Sequence, residues 1–218
     1  ALDGVSLRVS AGEAVGLVGV NGAGKTTLLR ILAGVLMPSE GHARIAGEII
    51  SGDALDARRR LAWVPDTPPV LDLLTAREHV DFVAAVHGVR DPLRVATALD
   101  IAGIAPEADT LGSQLSRGQR QRVSLACAMV ASPSAILLDE PFLGLDPPGR
   151  RALSAWIPDR ARAGAAVLVS SHDLTLLEDA CTRHVVIHEG RIVASPRQSD
   201  MSRGDLERVV LGVVRGDA

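Results

Sequence analysis

Alternating and continuous apolar runs define the strands predicted in the first third of the chain. Val5 to Val9 alternates apolar and polar residues as a half-buried strand does, and His42 to Ile50 resembles another exposed strand. Ala14 to Gly19 and Leu61 to Val64 are continuous apolar runs, which is typical of strands covered on both faces. Lys25 to Ala33 has helical spacing and is followed directly by a glycine. The pattern therefore predicts strands interleaved with helix.

The spacing of apolar residues becomes helical between about residues 72 and 131. Leu74, Val80, Val83 and Val86 are expected to share one face of the first helix of this region. Glycines and prolines punctuate the rest, so we expect several helices rather than one. We predict a helical insert over about 72–131.

The strand pattern returns in the last third of the chain. Ala135 to Leu138 and Ala165 to Ser170 are predicted as buried strands, separated by a helix from about Pro148 to Ala163. Val185 to His188 and Arg191 to Ala194 flank a Glu-Gly pair and predict a closing hairpin. Strands alternating with helices indicate an α/β fold with a parallel sheet.

Length and composition favour one domain with a tightly packed core. The chain has 218 residues, of which 47% are hydrophobic but only 2% aromatic, so the core must consist mainly of Ala, Val, Leu and Ile. The tail over about 195–218 is polar, with one short helix expected from Asp205 to Leu211. The first residue is Ala1 and it falls in a predicted strand region, so we expect a trimmed piece of a longer chain.

Charge and cysteine content disfavour several classes of protein. The net charge of −3 gives no electrostatic footprint for nucleic acid, and Arg58 to Arg60 is expected to be a solvated face. Cys127 and Cys181 are too few for a disulfide framework or a zinc site, which favours a reducing compartment. No apolar run approaches the roughly 20 residues that span a bilayer. We expect a cytoplasmic protein without a nucleic-acid partner, whose membrane role, if it has one, depends on a partner.

A glycine-rich loop carries the strongest chemical signal. Gly19 to Thr26 fits the phosphate-loop pattern G-x-x-x-x-G-K-[ST] between a predicted strand and a predicted helix. Lys25 is the single lysine among 23 basic residues, and a compact ammonium suits the β- and γ-phosphates better than a planar guanidinium does. The predicted nucleotide contacts here are Gly19, Asn21, Gly22, Ala23, Gly24, Lys25, Thr26 and Thr27. Thr26 is also a predicted ligand of Mg²⁺.

Two adjacent acids end a predicted buried strand, where open α/β sheets bind ligands. Asp139 and Glu140 point to opposite sides of that strand, so they must do different work. We predict that Asp139 holds Mg²⁺ and that Glu140 polarises the attacking water; the alternative is that they only end a strand and cap a helix. The base-reading motif of guanine-nucleotide switches needs a second lysine, which this chain lacks.

The run Leu115-Ser116-Arg117-Gly118-Gln119 precedes a predicted helix and has two interpretations. Ser116 and Gln119 have the spacing of a capping box, which satisfies free N–H groups where a helix begins. A capping box requires neither Leu115 nor Gly118. A helix N-terminus beside serine and glycine is also an anion site, so the loop could bind a γ-phosphate.

The order of these motifs resembles ATP-binding cassette (ABC) proteins over about residues 2–194. The motifs are the phosphate loop, LSRGQ, the LLDEP of Leu137 to Pro141, Gly144-Leu145-Asp146 and Ser171-His172. The resemblance implies one ABC ATPase domain over 1–218, with an α/β P-loop core, a small antiparallel β subdomain and a helical subdomain over about 72–131. It also implies a head-to-tail pair of such domains.

Further roles are implied by the resemblance. In the head-to-tail pair, Ser116, Gly118 and Gln119 would contact the partner's nucleotide. Glu140 would be the catalytic base, His172 the switch residue at the γ-phosphate, and Asp146 the link between the two sites. ATP and Mg²⁺ are the implied substrate and cofactor.

Three departures from the family pattern stand out. Arg117 occupies the usual second glycine of the LSGGQ motif. Asp66 stands where the family has a glutamine that contacts Mg²⁺ and water; an aspartate can still bind the metal but donates no hydrogen bond. An adenine-stacking aromatic has no candidate, since Trp63 and Trp156 both lie elsewhere and tyrosine is absent.

The resemblance implies the ATPase subunit of a transporter, peripheral on the inner face of the cell membrane and driving a separate permease seated between core and insert. The sequence around LSRGQ resembles the ATPases of exporter-type systems, which favours an exporter. The alternative is an ABC ATPase that acts in translation or on DNA, but this chain has neither a second cassette nor a long coiled-coil insertion. A third possibility, an inactive partner in a heterodimer, conflicts with the presence of Glu140 and His172.

Overall fold

A computed structural model describes residues 2–50 and 54–215. Its strands are β1 (Ala14–Val18), β2 (Arg44–Ile45), β3 (Glu48–Ile49), β4 (Leu61–Val64), β5 (Ala135–Asp139), β6 (Ala166–Ser170), β7 (Arg183–His188) and β8 (Arg191–Ala194). Its α-helices are α1 (Lys25–Leu32), α2 (Leu55–Arg59), α3 (Ala76–Val86), α4 (Pro92–Ile101), α5 (Arg117–Ala131), α6 (Pro147–Arg162), α7 (Leu174–Ala180) and α8 (Asp205–Arg215). Short 3₁₀ helices cover Ala105–Glu107, Gly112–Gln114 and Gln198–Asp200.

The main sheet has six strands in the order β4-β5-β6-β1-β7-β8. The first five of these strands run parallel, and β8 returns antiparallel to β7 as the predicted hairpin. The carboxyl ends of five neighbouring strands therefore meet at one edge. The α/β prediction, with a parallel sheet and a small antiparallel β unit, is confirmed.

Both faces of the central strands are covered, as their apolar sequences predict. Ala14 and Val18 of β1 face one core, with α5 and α6, whereas Val15 and Leu17 face a second core that contains α1. All five residues of β1 are buried. Because β1 is packed on both faces, it fixes the position at which the following loop begins.

The helical region between β4 and β5 contains α3, α4 and α5, which pack on one another. Thr75 begins α3 with a capping box: its side chain accepts from the Glu78 N–H, and the Glu78 carboxylate accepts from the Thr75 N–H. Val80 is buried and Val83 is half-buried, but Val86 is 59% exposed and Leu74 precedes the helix, so the predicted shared face is wrong in part. Val86 follows Val80 by six residues, which places it about 120° around the helix from Val80.

Two strand predictions near the N-terminus are wrong in part. Val5 to Val9 alternates between half-buried and exposed residues as expected, yet no strand forms there. His42 to Ile50 is a hairpin of β2 and β3 instead of one strand, reversing at Ala46 and Gly47, which have φ of 50° and 88°. Apolar periodicity reports which side is covered, whereas a strand also needs a hydrogen-bonded neighbour.

The C-terminal segment is held on the core by buried polar groups. The Glu178 carboxylate of α7 accepts from the N–H groups of Gly204 and Leu206, which precede and open α8. His184 is fully buried and lies 2.7 Å from the Gln198 Oε1 through its Nε2, which supports a structural role for this histidine. The predicted helix at 205–211 extends to Arg215, and residues 216–218 of the predicted tail lie outside the described part.

In the described ranges, 2–50 and 54–215, no helix is long and apolar enough to cross a membrane. The Arg58 to Arg60 run is exposed, as expected for a solvated face.

Candidate nucleotide-binding site

The glycine-rich loop leaves β1 at the carboxyl edge of the sheet and leads directly into α1. Gly24 immediately precedes the helix and has φ of 113°, a backbone conformation that residues with a side chain rarely adopt. Lys25 opens the helix and is 8% exposed. Its Nζ donates to the carbonyl oxygens of Gly19, at 2.7 Å, and Val20, at 3.3 Å. The ammonium therefore lies inside the loop, where phosphate oxygens could replace the carbonyls.

The electrostatic surroundings of Lys25 link the loop to the acids. Burial lowers the pKa of Lys25, and the nearby carboxylates of Glu140 and Asp139 oppose this shift. Around the lysine, Asn21 and Gly22 are exposed, Ala23 is buried, and Gly24, Thr26 and Thr27 are half-buried. The structure thus brings all the predicted loop residues to one place, next to both acids.

Asp139 ends β5 and is almost fully buried. Its Oδ1 accepts a 2.6 Å hydrogen bond from the Ser170 hydroxyl, whereas its Oδ2 has no protein partner within the described residues. A buried carboxylate oxygen without a partner is costly unless something else binds it. Magnesium prefers hard oxygen ligands and keeps several waters, so one free carboxylate oxygen beside a phosphate loop fits this ion.

Asp66 and Thr26 are the other predicted metal ligands. Asp66 is half-buried and lies two residues beyond Val64, which pairs in register with Leu138 of β5. It therefore follows its strand at the same edge as Asp139. No group of three His, Cys, Asp or Glu side chains in the described residues forms a ready-made cation site.

Glu140 and His172 are in direct contact. The Glu140 Oε2 lies 2.9 Å from the His172 Nδ1 and accepts from the His172 backbone N–H at 3.3 Å. Glu140 has φ of 48°, an unfavourable conformation for a residue with a side chain. Its side chain is 17% exposed, compared with 65% for His172. The structure thus joins the predicted base and the predicted switch residue into one unit.

The LSRGQ run forms the predicted capping box at the start of α5. The Ser116 hydroxyl accepts from the Gln119 N–H at 3.3 Å, and the Gln119 Oε1 accepts from the Ser116 N–H at 2.9 Å. Leu115 is buried in the core, and a Cβ on Gly118 would lie 2.7 Å from the Gly144 carbonyl oxygen. Packing therefore explains Leu115 and Gly118, the two residues of the run that the capping box does not require.

Asp146 caps α6 and binds an arginine that the sequence did not single out. Its Oδ1 accepts from the Gly149 N–H at 3.3 Å and from Arg122 at 2.6 Å. Arg122, on α5, also donates to the Gly103 carbonyl oxygen at 2.7 Å. Nothing in the sequence marks Arg122 except its basic side chain. In the structure its neighbours Gln121 and Val123 are both buried. Arg122 thus ties the helical region to the loop that carries Asp146.

A parallel sheet with a phosphate loop and two acids at its carboxyl edge defines an α/β P-loop nucleoside triphosphatase. Residues 2–143 match the family model described as ABC transporter. The chain therefore belongs to the ABC transporter family, as its ATP-binding domain.

Two relatives are similar to this chain over 88% of its length. The SkfA peptide export ATP-binding protein SkfE of Bacillus subtilis (strain 168) is 39% identical over 197 residues, which cover 88% of this chain and 82% of that protein. ATP-binding cassette sub-family A member 7 of Mus musculus is 36% identical, but the chain spans only 9% of its length.

Two solved structures share the fold. A structure titled "Structure of ATP binding subunit of ABC transporter" has a TM-score of 0.88 at 30% identity, covering 96% of this chain and 92% of that one. "Dimeric Structure of MJ0796, a Bacterial ABC Transporter Cassette" has a TM-score of 0.82 at 26% identity, covering 90% of each chain.

Proposed function

We propose that this chain binds ATP with Mg²⁺, hydrolyses it, and so drives a separate membrane permease. The observation that carries the proposal is the meeting of Lys25, Asp139, Glu140 and His172 at one edge of the sheet. They come from three segments, at or after the ends of β1, β5 and β6, and parallel pairing of these strands aligns their ends. One copy would form a single domain over 1–218, with a helical subdomain over about 72–131.

The chain's own groups divide the work of hydrolysis. Lys25 and the backbone N–H groups of residues 19–27 bind and orient the triphosphate tail. Thr26, Asp139 and Asp66 would hold Mg²⁺, which draws negative charge from the phosphate oxygens when bound. Glu140 takes a proton from the attacking water, and its contact with His172 holds the carboxylate in place.

A second copy would complete each site in a head-to-tail dimer. Ser116 and Arg117 are exposed, and no hydrogen bond or ion pair of the described residues joins residues 115–119 to residues 19–27. The helix N-terminus at Ser116 is thus available to an anion from outside the chain. In this dimer Ser116, Gly118 and Gln119 contact the partner's ATP, and Arg117 adds positive charge there. The dimeric relative described above supports a dimer.

Asp146 is suited to connect the two sites. Through Arg122 it is fixed to the same helix that Ser116 begins, and Gly118 of that helix packs directly on Gly144. A partner that moves the start of α5 would therefore also move the loop that follows Glu140. The 2.6 Å contact between Arg122 and Asp146 is partly shielded from solvent on the arginine side, which favours a firm connection.

A groove between the sheet and the helical region suits a permease segment. It has a volume of about 220 Å³ and is lined by residues of β4, α3 and α5, among them Trp63, Val83 and Cys127. Trp63 Nε1 is buried and finds no partner in the described part of the chain. Leu73, at the rim of the helical region, is 89% exposed. The lining combines apolar side chains with polar ones such as His79, His87 and Ser124, which suits an amphipathic peptide segment.

The names of relatives support a proposal for the direction of transport. SkfE is named for peptide export, which supports an exporter and not an ATPase of translation or DNA maintenance. The chain would then sit on the inner face of the membrane through its permease, with no nucleic-acid partner.

The concentration dependence of hydrolysis tests this proposal. We expect Mg²⁺-dependent ATP hydrolysis whose rate per molecule rises with protein concentration, because only a pair of copies forms a complete site. The measurement is phosphate release at saturating ATP over a wide range of protein concentration. A constant rate per molecule would contradict the dimeric site, and no hydrolysis at any concentration would contradict the ATPase activity itself.

A further inference from the structure

One serine hydroxyl lies between the two acids of the site. Ser170 is the last residue of β6, fully buried, and pairs in register with Asp139 on β5 and with Leu17 on β1. Its hydroxyl donates to the Asp139 Oδ1 at 2.6 Å and accepts from the Glu140 backbone N–H at 3.1 Å. Its single proton goes to the carboxylate, so the oxygen is free to accept from the amide. Neither contact was predicted from the sequence.

The hydroxyl leaves Asp139 with one free oxygen in a fixed direction. A hydrogen bond of 2.6 Å to a carboxylate is short and strong. The two oxygens of a carboxylate are equivalent, so the hydrogen bond fixes the plane of the group and not the identity of the bound oxygen. One oxygen, Oδ2 in the structure, is left without a protein partner among the described residues and is the oxygen available to a metal ion.

The same hydroxyl also supports the backbone of Glu140. The Glu140 N–H donates to the Ser170 carbonyl oxygen at 3.1 Å as well as to its hydroxyl. A residue with φ of 48° keeps this conformation only when its surroundings hold it. Two acceptors from one residue hold this N–H, and they set the direction in which the Glu140 side chain leaves the strand, toward His172.

We propose that Ser170 is a positioning residue for the reaction: it directs one oxygen of Asp139 to Mg²⁺ and holds Glu140 beside His172. The inference rests on the proposed ATPase function. Ser170 itself touches neither the substrate nor the metal, and acts through the two acids. Groups that orient a metal ligand in this way commonly contribute a factor of roughly 10 to 100 in metal affinity or activity.

The neighbouring serine is a matched control. Ser171 is as buried as Ser170, but its hydroxyl accepts from the Asp173 N–H at 3.0 Å, within its own turn. It has no hydrogen bond to Asp139 or Glu140 in the described residues. Removing either hydroxyl makes the same chemical change at the same depth, and only one of the two changes affects the acids.

The experiment compares Ser170→Ala, Ser170→Cys and Ser171→Ala in the full chain, with ATPγS as the nucleotide. Mn²⁺ binding in the presence of ATPγS is read by electron paramagnetic resonance, and ATPγS affinity in EDTA is read by calorimetry. We expect both Ser170 variants to bind Mn²⁺ roughly 10- to 100-fold more weakly, while their metal-free nucleotide affinity stays at the wild-type value. Cysteine keeps the volume but donates weakly, so it decides the question if the alanine variant fails to fold. Ser171→Ala should match the wild type in both measurements.

Two results would overturn the assignment. Unchanged Mn²⁺ affinity in a folded Ser170 variant would show that Asp139 needs no orientation. Equal losses with metal and in EDTA would show that the serine only supports the fold. Wild-type protein that binds no Mn²⁺ with the nucleotide would instead contradict the proposed function, so the two failures are distinguishable.

Discussion

Replacing Glu140 with glutamine should lower ATP hydrolysis by roughly 10²- to 10⁴-fold, the usual contribution of a general base. The side chain lies against His172 and keeps its shape in the variant, but an amide oxygen is too weak a base to take a proton from water. ATP binding should persist, because Lys25 and the loop are unchanged. ATP should then convert the variant into a stable dimer, measured by phosphate release and by gel filtration.

A second glutamate provides the control for this substitution. Glu189 also has a positive φ, of 47°, but is exposed in the turn between β7 and β8. Glu189→Gln should hydrolyse ATP at the wild-type rate. Near-normal hydrolysis by Glu140→Gln would remove Glu140 from the mechanism. A variant that stays monomeric in saturating ATP would mean that the domain alone does not form the proposed dimer.

Replacing Lys25 with alanine should remove most of the affinity for ATP. The buried ammonium donates to two loop carbonyls in the structure, and we expect it to donate to phosphate oxygens instead when ATP binds. Charge-assisted hydrogen bonds contribute about 1.5 to 3 kcal/mol each. Two of them correspond to a loss of roughly 10²- to 10⁴-fold in affinity, measurable by calorimetry.

Two variants that involve arginine are controls for the Lys25→Ala measurement. Lys25→Arg keeps the charge, but the longer planar group does not fit the enclosed position of Lys25, so ATP binding should remain weak. Arg30→Ala removes an exposed charge from the last turn of the same helix and should bind ATP normally. Tight ATP binding by Lys25→Ala would contradict the assignment of the loop.

The phosphate loop and the acids could be predicted from sequence because local order fixes them. A strand, a glycine loop and a helix in succession allow few geometries, so Gly19 to Thr27 could be placed without knowing the rest of the chain. Asp139 and Glu140 end an apolar run that only a buried strand explains. Parallel pairing then brings the two segments to the same edge.

Contacts between distant segments could not be predicted in this way. In the sequence, nothing distinguishes Ser170 from Ser171. Only the register of β5 with β6 makes Ser170 the partner of Asp139. Arg122 is likewise identified only by its hydrogen bonds to Gly103 and Asp146, which lie outside its helix. Both cases depend on side-chain geometry across the fold, which apolar periodicity does not encode.

The central claim is that each ATP is bound by the loop of one copy and the serine of the other. Mixing Lys25→Ala with Ser116→Arg copies tests it, because each variant alone has two damaged sites in a head-to-tail pair. A mixed pair has one intact site, formed by Lys25 of the serine variant and Ser116 of the lysine variant.

ATP hydrolysis of the equimolar mixture is the deciding measurement. Random pairing makes half of the dimers mixed with one intact site each, so we expect about a quarter of the wild-type rate, although each variant alone is inactive. The double variant Lys25→Ala/Ser116→Arg mixed with either single variant forms no intact site and should stay inactive. A mixture as inactive as its components, under conditions where the wild type turns over, would contradict the shared site.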